Sequence, residues 1–236
     1  MLLRGVIDRI DVCESEDGAL IKIVDYKKSN LDIALDRIYY GLQLQLLTYL
    51  RVTMEQEKGK AIPAAMLYYQ IKEPLIAWEE ESNTKRELRE LEEFRCGGYV
   101  NEKPEILETL DKEIAERGML KQRVASKVVP VRTDKNGEFS KKSHVLSSEQ
   151  FEELMAHADK KMREFGNQIY GGEIGARPYR LEDKNACENC GMKGLCGMEN
   201  RYVKNREREF KKMIDEEIWE VLHERDQVDG KTEENH

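Results

Sequence analysis

Asp8, Asp25 and Lys27 stand at the ends of two apolar runs, and Cys187, Cys190 and Cys196 crowd into one glycine-rich loop. In "IKIVDYKKSN" (21–30), Asp25 and Lys27 are two apart, and side chains two apart in a strand share a face. In "GVIDRIDV" (5–12), Val6, Asp8, Ile10 and Val12 share a face in the same way. Two carboxylates brought together on an apolar surface repel, and burying them is costly without a cation. A divalent ion such as Mg²⁺ resolves this, because it takes hard oxygen ligands, typically one or two carboxylates with water and phosphate. Lys27 would then sit beside the metal water and a substrate phosphate, where it can orient or help deprotonate the water and offset transition-state charge. Taken alone, an acid-x-Lys triplet reads as an edge ion pair. The second, correctly phased aspartate weighs against that reading.

The cysteines lie in "ACENCGMKGLCGMENRY" with spacing C-x2-C-x5-C. A tetrahedral zinc site or an iron–sulfur cluster needs a fourth ligand. No fourth cysteine is near, and the four histidines show no ligand spacing. Cys13 and Cys96 read as plain thiols.

Patterning indicates the elements that must position these residues. "LLRGVIDRIDV" and "GALIKIVDYKK" are apolar runs separated by "CESEDG", with a turn signal at Asp17-Gly18, so a β-hairpin is expected. A turn centred on Glu16-Asp17 sets Asp8 opposite Asp25, and one centred on Asp17-Gly18 sets Asp8 opposite Lys27. Either register puts all three on one face within direct or diagonal reach. Asp11 falls on the opposite face and is assigned to an ion pair with Arg9. A long, largely buried helix is expected from about 36 to 58, then a strand over 64–71 stopped by Pro74. Residues 79–125 read as a charged, mostly helical insertion interrupted by "CGGYVNEKP". A short hairpin around Asn136-Gly137 follows, then an amphipathic helix capped by Ser147 or Ser148 and ended by Gly171-Gly172. After the cysteine loop come a charged helix to about Glu224 and a disordered tail.

Composition bounds the rest. The 236 residues suit one large domain or one domain with an appendage. The chain is 39% hydrophobic and 36% charged, with a mean hydropathy of -0.73, which suits a soluble protein that still buries a core. The chain contains no run of about 18 apolar residues that could span a membrane, and the N-terminus lacks a signal-peptide pattern. A net charge of -8 argues against a general basic coat for DNA. An acidic metal site for phosphate chemistry leaves that balance uninformative. Five cysteines in a chain read as intracellular suggest metal ligands or plain thiols rather than disulfides.

"GVIDRID", a turn, "IVDYKKS" and "YYGLQLQLLTYL" together resemble the RecB-like branch of the PD-(D/E)-x-K nucleases. That branch pairs an aspartate in G-x-I-D with acid-x-Lys on the next strand and Gln-x-x-x-Tyr on the following helix. Here the helix pair is Gln45 and Tyr49, four apart and on one face. The resemblance implies an α/β, restriction-endonuclease-like core with a helical insertion and a C-terminal cysteine-bearing helical region. It implies Mg²⁺- or Mn²⁺-dependent phosphodiester hydrolysis with Asp8 and Asp25 as metal ligands and the backbone carbonyl of Tyr26 as a third. Lys27 would be the catalytic lysine, and Gln45 and Tyr49 would help hold the active site and DNA. The cysteine spacing is similar to the C-terminal iron–sulfur staple of the AddB subunits of bacterial AddAB helicase–nucleases. There, three C-terminal cysteines join one far upstream around a four-iron, four-sulfur cluster. "VVPVRTDKNGEFSKKSHVLSSEQF", "IYGGEIGARPYR" and "NRYVKNREREFKKMIDEEIWEVL" follow that family in order, so the resemblance covers nearly the whole chain.

The resemblance implies a nuclease core over 1–78, the insertion over 79–125, the rest of the nuclease domain over 126–180, and the staple, C-terminal helix and tail over 181–236. Because the chain starts at the nuclease motif, it is expected to be an N-terminally truncated piece, with the fourth cluster cysteine absent and cleavage weak or nil in isolation. The implied function is that of a metal-dependent DNA exonuclease domain of an AddAB-type helicase–nuclease. It would act on single-stranded DNA from unwound duplex during double-strand-break repair by recombination. Its partner would be an AddA-type helicase–nuclease subunit, its location cytoplasmic at the nucleoid, with no membrane involved. One alternative is a stand-alone CRISPR-associated RecB-like exonuclease, against which the 79–125 insertion and the charged C-terminal helix argue. The other is a non-catalytic DNA- or partner-binding module.

Overall fold

A computed structural model describes residues 2–28, 33–71, 92, 94–117, 123–188, 190–196 and 207–223. The strand stop at Pro74, the 79–91 part of the insertion and the tail from 224 lie outside these residues. Two compact units form, one from residues 2–34 and 43–159, the other from 35–42 and 160–236.

In the first unit the run from Ala19 to Asp25 is almost wholly buried in strand β2 (Gly18–Lys27). A near-continuous apolar run is what a strand covered on both faces requires. A turn at Glu16 and Asp17 returns β1 (Arg9–Ser15) antiparallel to β2, with Arg9 facing Val24. This is the first of the two anticipated registers. Strand β3 (Ala61–Gln70) lies parallel to β2 on its other side. It begins three residues before the expected strand. Ala19 faces Ala61 and Ile21 faces Pro63, but Lys22 faces Ala65, so Ala64 is an extra residue in β3. Pro63 has no N–H for the ladder, which is where a bulge is tolerated.

Strand β4 (Gly97–Asn101) pairs antiparallel with β3, and β5 (Val145–Leu146) parallel with β4, giving the order β1-β2-β3-β4-β5. The interruption "CGGYVNEKP" is therefore a core strand. Helix α2 (Gln45–Gln56) packs on β2 and β3 through Leu46, Leu47 and Leu50. On the other face, Leu107 of α3 (Pro104–Leu110) and Ile114 of α4 (Lys112–Arg117) are wholly buried among Val24, Leu67, Val100 and Val131. Each such burial contributes about 2 kcal/mol. Asn101, also fully buried, donates to the Pro63 carbonyl at 2.9 Å and to Ser148 Oγ at 3.0 Å. Helix α5 (Ser148–Tyr170) starts with a reciprocal cap: Gln150 N–H to Ser147 Oγ at 3.2 Å and Ser147 N–H to Gln150 Oε1 at 2.9 Å.

The second unit contains α1 (Leu35–Tyr39) and a small sheet of β6 (Tyr179–Leu181), β7 (Lys184–Asn185) and β8 (Arg208–Phe210), in the order β7-β6-β8. Helix α6 (Lys193–Cys196) lies in the cysteine loop, and residues 215–223 form helix α7. The single helix expected from 36 to 58 is instead α1 and α2. Gly41 is the cause. It has φ +79°, its N–H donates to the Ile38 carbonyl at 2.9 Å, and the Leu42 N–H donates to the Arg37 carbonyl at 2.7 Å. This is a Schellman stop. An added Cβ would lie 2.7 Å from the Phe165 ring. The charged helix expected to reach Glu224 is replaced, among the described residues, by β8 and the shorter α7. Pairing of β8 with β6 and stacking of Phe210 on Tyr40 (centroids 4.2 Å, 2°) override local helix propensity.

Candidate active site

The C-terminal end of β2, the segment before β1 and the start of α2 meet in the first unit. Asp25 is 3% exposed. Gln45, first residue of α2, donates from Nε2 to Asp25 Oδ1 at 3.0 Å and to the Tyr49 hydroxyl at 3.2 Å. Its Oε1 accepts from Lys27 Nζ at 3.3 Å. The orientation of this amide follows from its partners, since a carboxylate can only accept and an ammonium can only donate. Lys27 also forms an ion pair with Asp25 Oδ2. The contact is off the direction a hydrogen bond needs, so Oδ2 is buried without a directed donor among the described residues.

Asp8 is exposed and sits just before β1. The β1–β2 register carries it to the end of β2, where its Oδ2 accepts the Tyr26 N–H at 2.9 Å. The Tyr26 side chain alternates to the other face and meets the Tyr69 ring edge-on at 5.9 Å, so only its backbone is turned toward the Asp8 carboxylate. Asp25, Lys27, Gln45 and Tyr49 thus form one network, and Asp8 joins the same end of β2 through the Tyr26 backbone. Tyr49 is half-buried, with its hydroxyl in this network rather than in the core. Asp11 points away, paired with Arg9 and Lys22, each at 2.8 Å. Burial pushes the Asp11 carboxyl up, but these two donors and their charges outweigh it and hold it below the usual range.

Sequence reasoning missed two members. Tyr68 of β3 stands beside Asp25 in the parallel register, 5% exposed, with Lys27 Nζ 5.2 Å from its ring centroid. Burial, then the nearby Asp25 charge, pushes its phenol up to about 12, so it stays protonated at neutral pH. The other is Gly5. A Cβ there would lie 3.1 Å from both Cε1 and Oη of Tyr49. Gly5→Ala is expected to displace the Tyr49 hydroxyl, loosen Gln45 and slow cleavage about two- to tenfold with little loss of stability. Steady-state rates beside a thermal melt check this, and an unchanged rate refutes it.

The arrangement suits a hard divalent cation. A buried carboxylate oxygen lacking a directed donor and a second carboxylate held at the same strand end are oxygen ligands of the kind Mg²⁺ and Mn²⁺ take. Lys27 and Gln45 supply donors next to them.

In the second unit, Cys187 is half-buried and Cys190 and Cys196 are exposed. The Cys190 N–H closes a turn onto the Cys187 carbonyl at 3.2 Å, and the Met192 N–H donates to Cys190 Sγ at 3.4 Å. Among the described residues, no three His, Cys, Asp or Glu side chains are gathered closely enough to hold an ion. The thiols suit soft metal chemistry by type and loop, not yet by convergence.

The family profile of the PD-(D/E)XK nuclease superfamily matches residues 1–197. The chain is 32% identical over 237 residues to the B subunit of the ATP-dependent helicase/deoxyribonuclease of Lachnoclostridium phytofermentans, covering 98% of this chain and 20% of that protein. The proteins of that name from Listeria innocua and Thermoanaerobacter sp. (strain X514) are 33% and 32% identical. Those matches cover 88% and 97% of this chain and 18% and 20% of theirs. The chain spans about a fifth of the length of the curated relatives it matches.

Proposed function

This chain belongs to the PD-(D/E)XK nuclease superfamily, and from that premise we propose that it hydrolyses phosphodiester bonds of DNA with a divalent metal, Mg²⁺ or Mn²⁺, at the Asp8–Asp25–Lys27 network. The observation that carries this reading is the buried Asp25 carboxylate, linked through Gln45 to Lys27 and Tyr49 beside the Asp8 carboxylate. Asp8, Asp25 and the Tyr26 carbonyl would hold the metal, which supplies Lewis acidity toward the phosphate and a more acidic bound water. Lys27 orients the attacking water and offsets charge developing on the phosphate oxygens. Gln45 keeps Lys27 and Asp25 in register, and Tyr49 fixes Gln45.

The relatives' names, subunits of a helicase/deoxyribonuclease, together with the motif resemblance support a finer reading. In it the domain acts as an exonuclease on single-stranded DNA produced by unwinding, within a two-subunit helicase–nuclease that processes double-strand breaks in the cytoplasm for recombination. Its partner is an AddA-type helicase–nuclease subunit. Cys187, Cys190 and Cys196 contribute three thiolates to a four-iron, four-sulfur cluster in the same reading. The N–H···S contact at Cys190 is a local feature in its favour.

The test is cleavage of labelled single-stranded and duplex DNA by anaerobically purified protein, with Mg²⁺ or Mn²⁺ and with chelator, alongside iron and sulfide analysis. Metal-dependent shortening of single strands from an end is expected, weak for this chain in isolation and therefore measured with protein in excess. Binding of DNA without cleavage in either metal, with protein in excess, would support a non-catalytic binding module instead. Protein free of iron, with its cysteine loop unchanged by triple Cys→Ser substitution, would remove the cluster from the reading.

A further inference from the structure

Resting on the proposed role of Lys27, we propose that Tyr68 is a positioning residue for that lysine: its ring face retains the ammonium at the reaction centre when a divalent cation occupies Asp25. Among the described residues, three groups surround Lys27 Nζ. They are Asp25 Oδ2 in an ion pair, Gln45 Oε1 at 3.3 Å, and the Tyr68 ring with its centroid at 5.2 Å.

These three contacts respond differently to a metal. Asp25 Oδ2 is the oxygen a divalent cation takes, and two cations sharing one carboxylate repel each other. The Gln45 contact is a single long hydrogen bond donated to a side chain that also serves Asp25 and Tyr49. The ring is neutral, and its negative face attracts an ammonium within about 6 Å, whereas a hard divalent ion prefers oxygen. It is also rigid, because Tyr68 is 5% exposed and paired on both sides, with Asp25 on β2 and Gly97 on β4. The ring is therefore the contact that outlasts metal binding. Without it the lysine's flexible four-carbon stem, whose side chain is 28% exposed, is free to turn toward solvent.

The bulge in β3 makes this contact. Had the register before Ala64 continued, Leu67 would stand beside Asp25 and Tyr68 would face the opposite side of the sheet. The extra residue puts the aromatic ring on the face that carries Asp25 and Lys27.

The experiment follows the Lys27 ε-CH₂ signals by NMR in lysine-labelled protein, assigned with Lys27→Ala, and measures cleavage in parallel. In the parent, ring current is expected to move these signals upfield, and they should stay upfield when Ca²⁺ or Mg²⁺ is added. Tyr68→Leu should abolish that shift and lower kcat roughly tenfold, with KM for a single-stranded oligonucleotide unchanged. Tyr68→Phe and Tyr68→Trp should restore both the shift and the rate, as lost packing alone would not predict. Should Tyr68→Leu fail to fold, phenylalanines of increasing fluorination at position 68 keep the shape and weaken the ring's negative face, and kcat should fall with each step. Loss of the shift on adding metal to the parent overturns the inference, as does a flat fluorination series. So does Tyr68→Leu cleaving at the parental rate while Lys27→Ala does not. Lys27→Ala cleaving like the parent overturns instead the reading on which the inference rests.

Discussion

Lys27→Ala is expected to lower single-turnover cleavage of single-stranded DNA by roughly 10²–10³-fold, the cost of removing one donor aimed at developing charge, while Mn²⁺ binding stays as tight as in the parent or tighter. The two halves of this result have one origin. On the proposed assignment a metal would reach for the same Asp25 Oδ2 that Lys27 pairs with, so deleting the ammonium would remove a competitor from the metal site and a cation from the transition state. The metal-free variant should lose about 1 kcal/mol of stability. Asp25 is left with Gln45 as its donor, but Lys27 is partly exposed and its ion pair correspondingly screened. Asp25→Ala should behave in the opposite sense. It removes a buried carboxylate, and the Lys27 it leaves behind is partly exposed and keeps its hydrogen bond to Gln45, so the metal-free protein should melt near the parental temperature. Mn²⁺ should then no longer raise that temperature, because a ligand stabilises only what binds it. Cleavage at the parental rate by either variant would refute the assignment, as would an undiminished Mn²⁺-induced rise in melting temperature for Asp25→Ala.

The hairpin was legible because its signals are local: two alternating apolar runs, a turn dipeptide, and acids whose phase along each strand depends on nothing else. The Gln45–Tyr49 pair was legible for a related reason, since four-residue spacing on a helix determines a shared face whatever the tertiary fold. The network places those residues together as their spacing predicts. Sequence did not reveal Tyr68, because parallel pairing between β2 and β3 spans a whole helical crossover and its register shifts at a bulge. Nothing near Tyr68 distinguishes it from Tyr69, yet the two lie on opposite faces. The break at Gly41 was missed for the opposite reason. A lone glycine inside an apolar helical pattern is tolerated or terminates the helix according to what packs on it, and here Phe165 decides. The strand in "CGGYVNEKP" was hidden by its two glycines, which read as a loop until their neighbours are known.

Those glycines carry the second large effect. Gly98→Ala is expected to cost about 3–5 kcal/mol, a substantial part of the 5–15 kcal/mol that typically stabilises a native protein. Gly98 lies in β4 opposite Leu67 with φ +122°, a conformation that side chains disfavour, and a Cβ built there meets the Met66 carbonyl oxygen at 2.2 Å and Leu67 Cα at 3.1 Å. Both obstacles are backbone of a buried central strand, so neither can rotate away as a side-chain tip would. Relief requires β3 and β4 to separate. That opens the ladder around Leu67 and Val100, both buried in the core, and moves Tyr68, the next residue along β3, relative to Asp25. A methyl group far from any phosphate should therefore lower both the melting temperature and the cleavage rate. The rate should remain low at temperatures where the variant is still folded, because the ring beside Lys27 has shifted. Gly59→Ala is the control: its Cβ would meet nothing within 4 Å, and it should change neither quantity. If Gly98→Ala melts with the parent, the close approach of β4 to β3 is not as described. If it melts early but cleaves at the parental rate while folded, the coupling from β4 through β3 to the Asp25–Lys27 pair is absent.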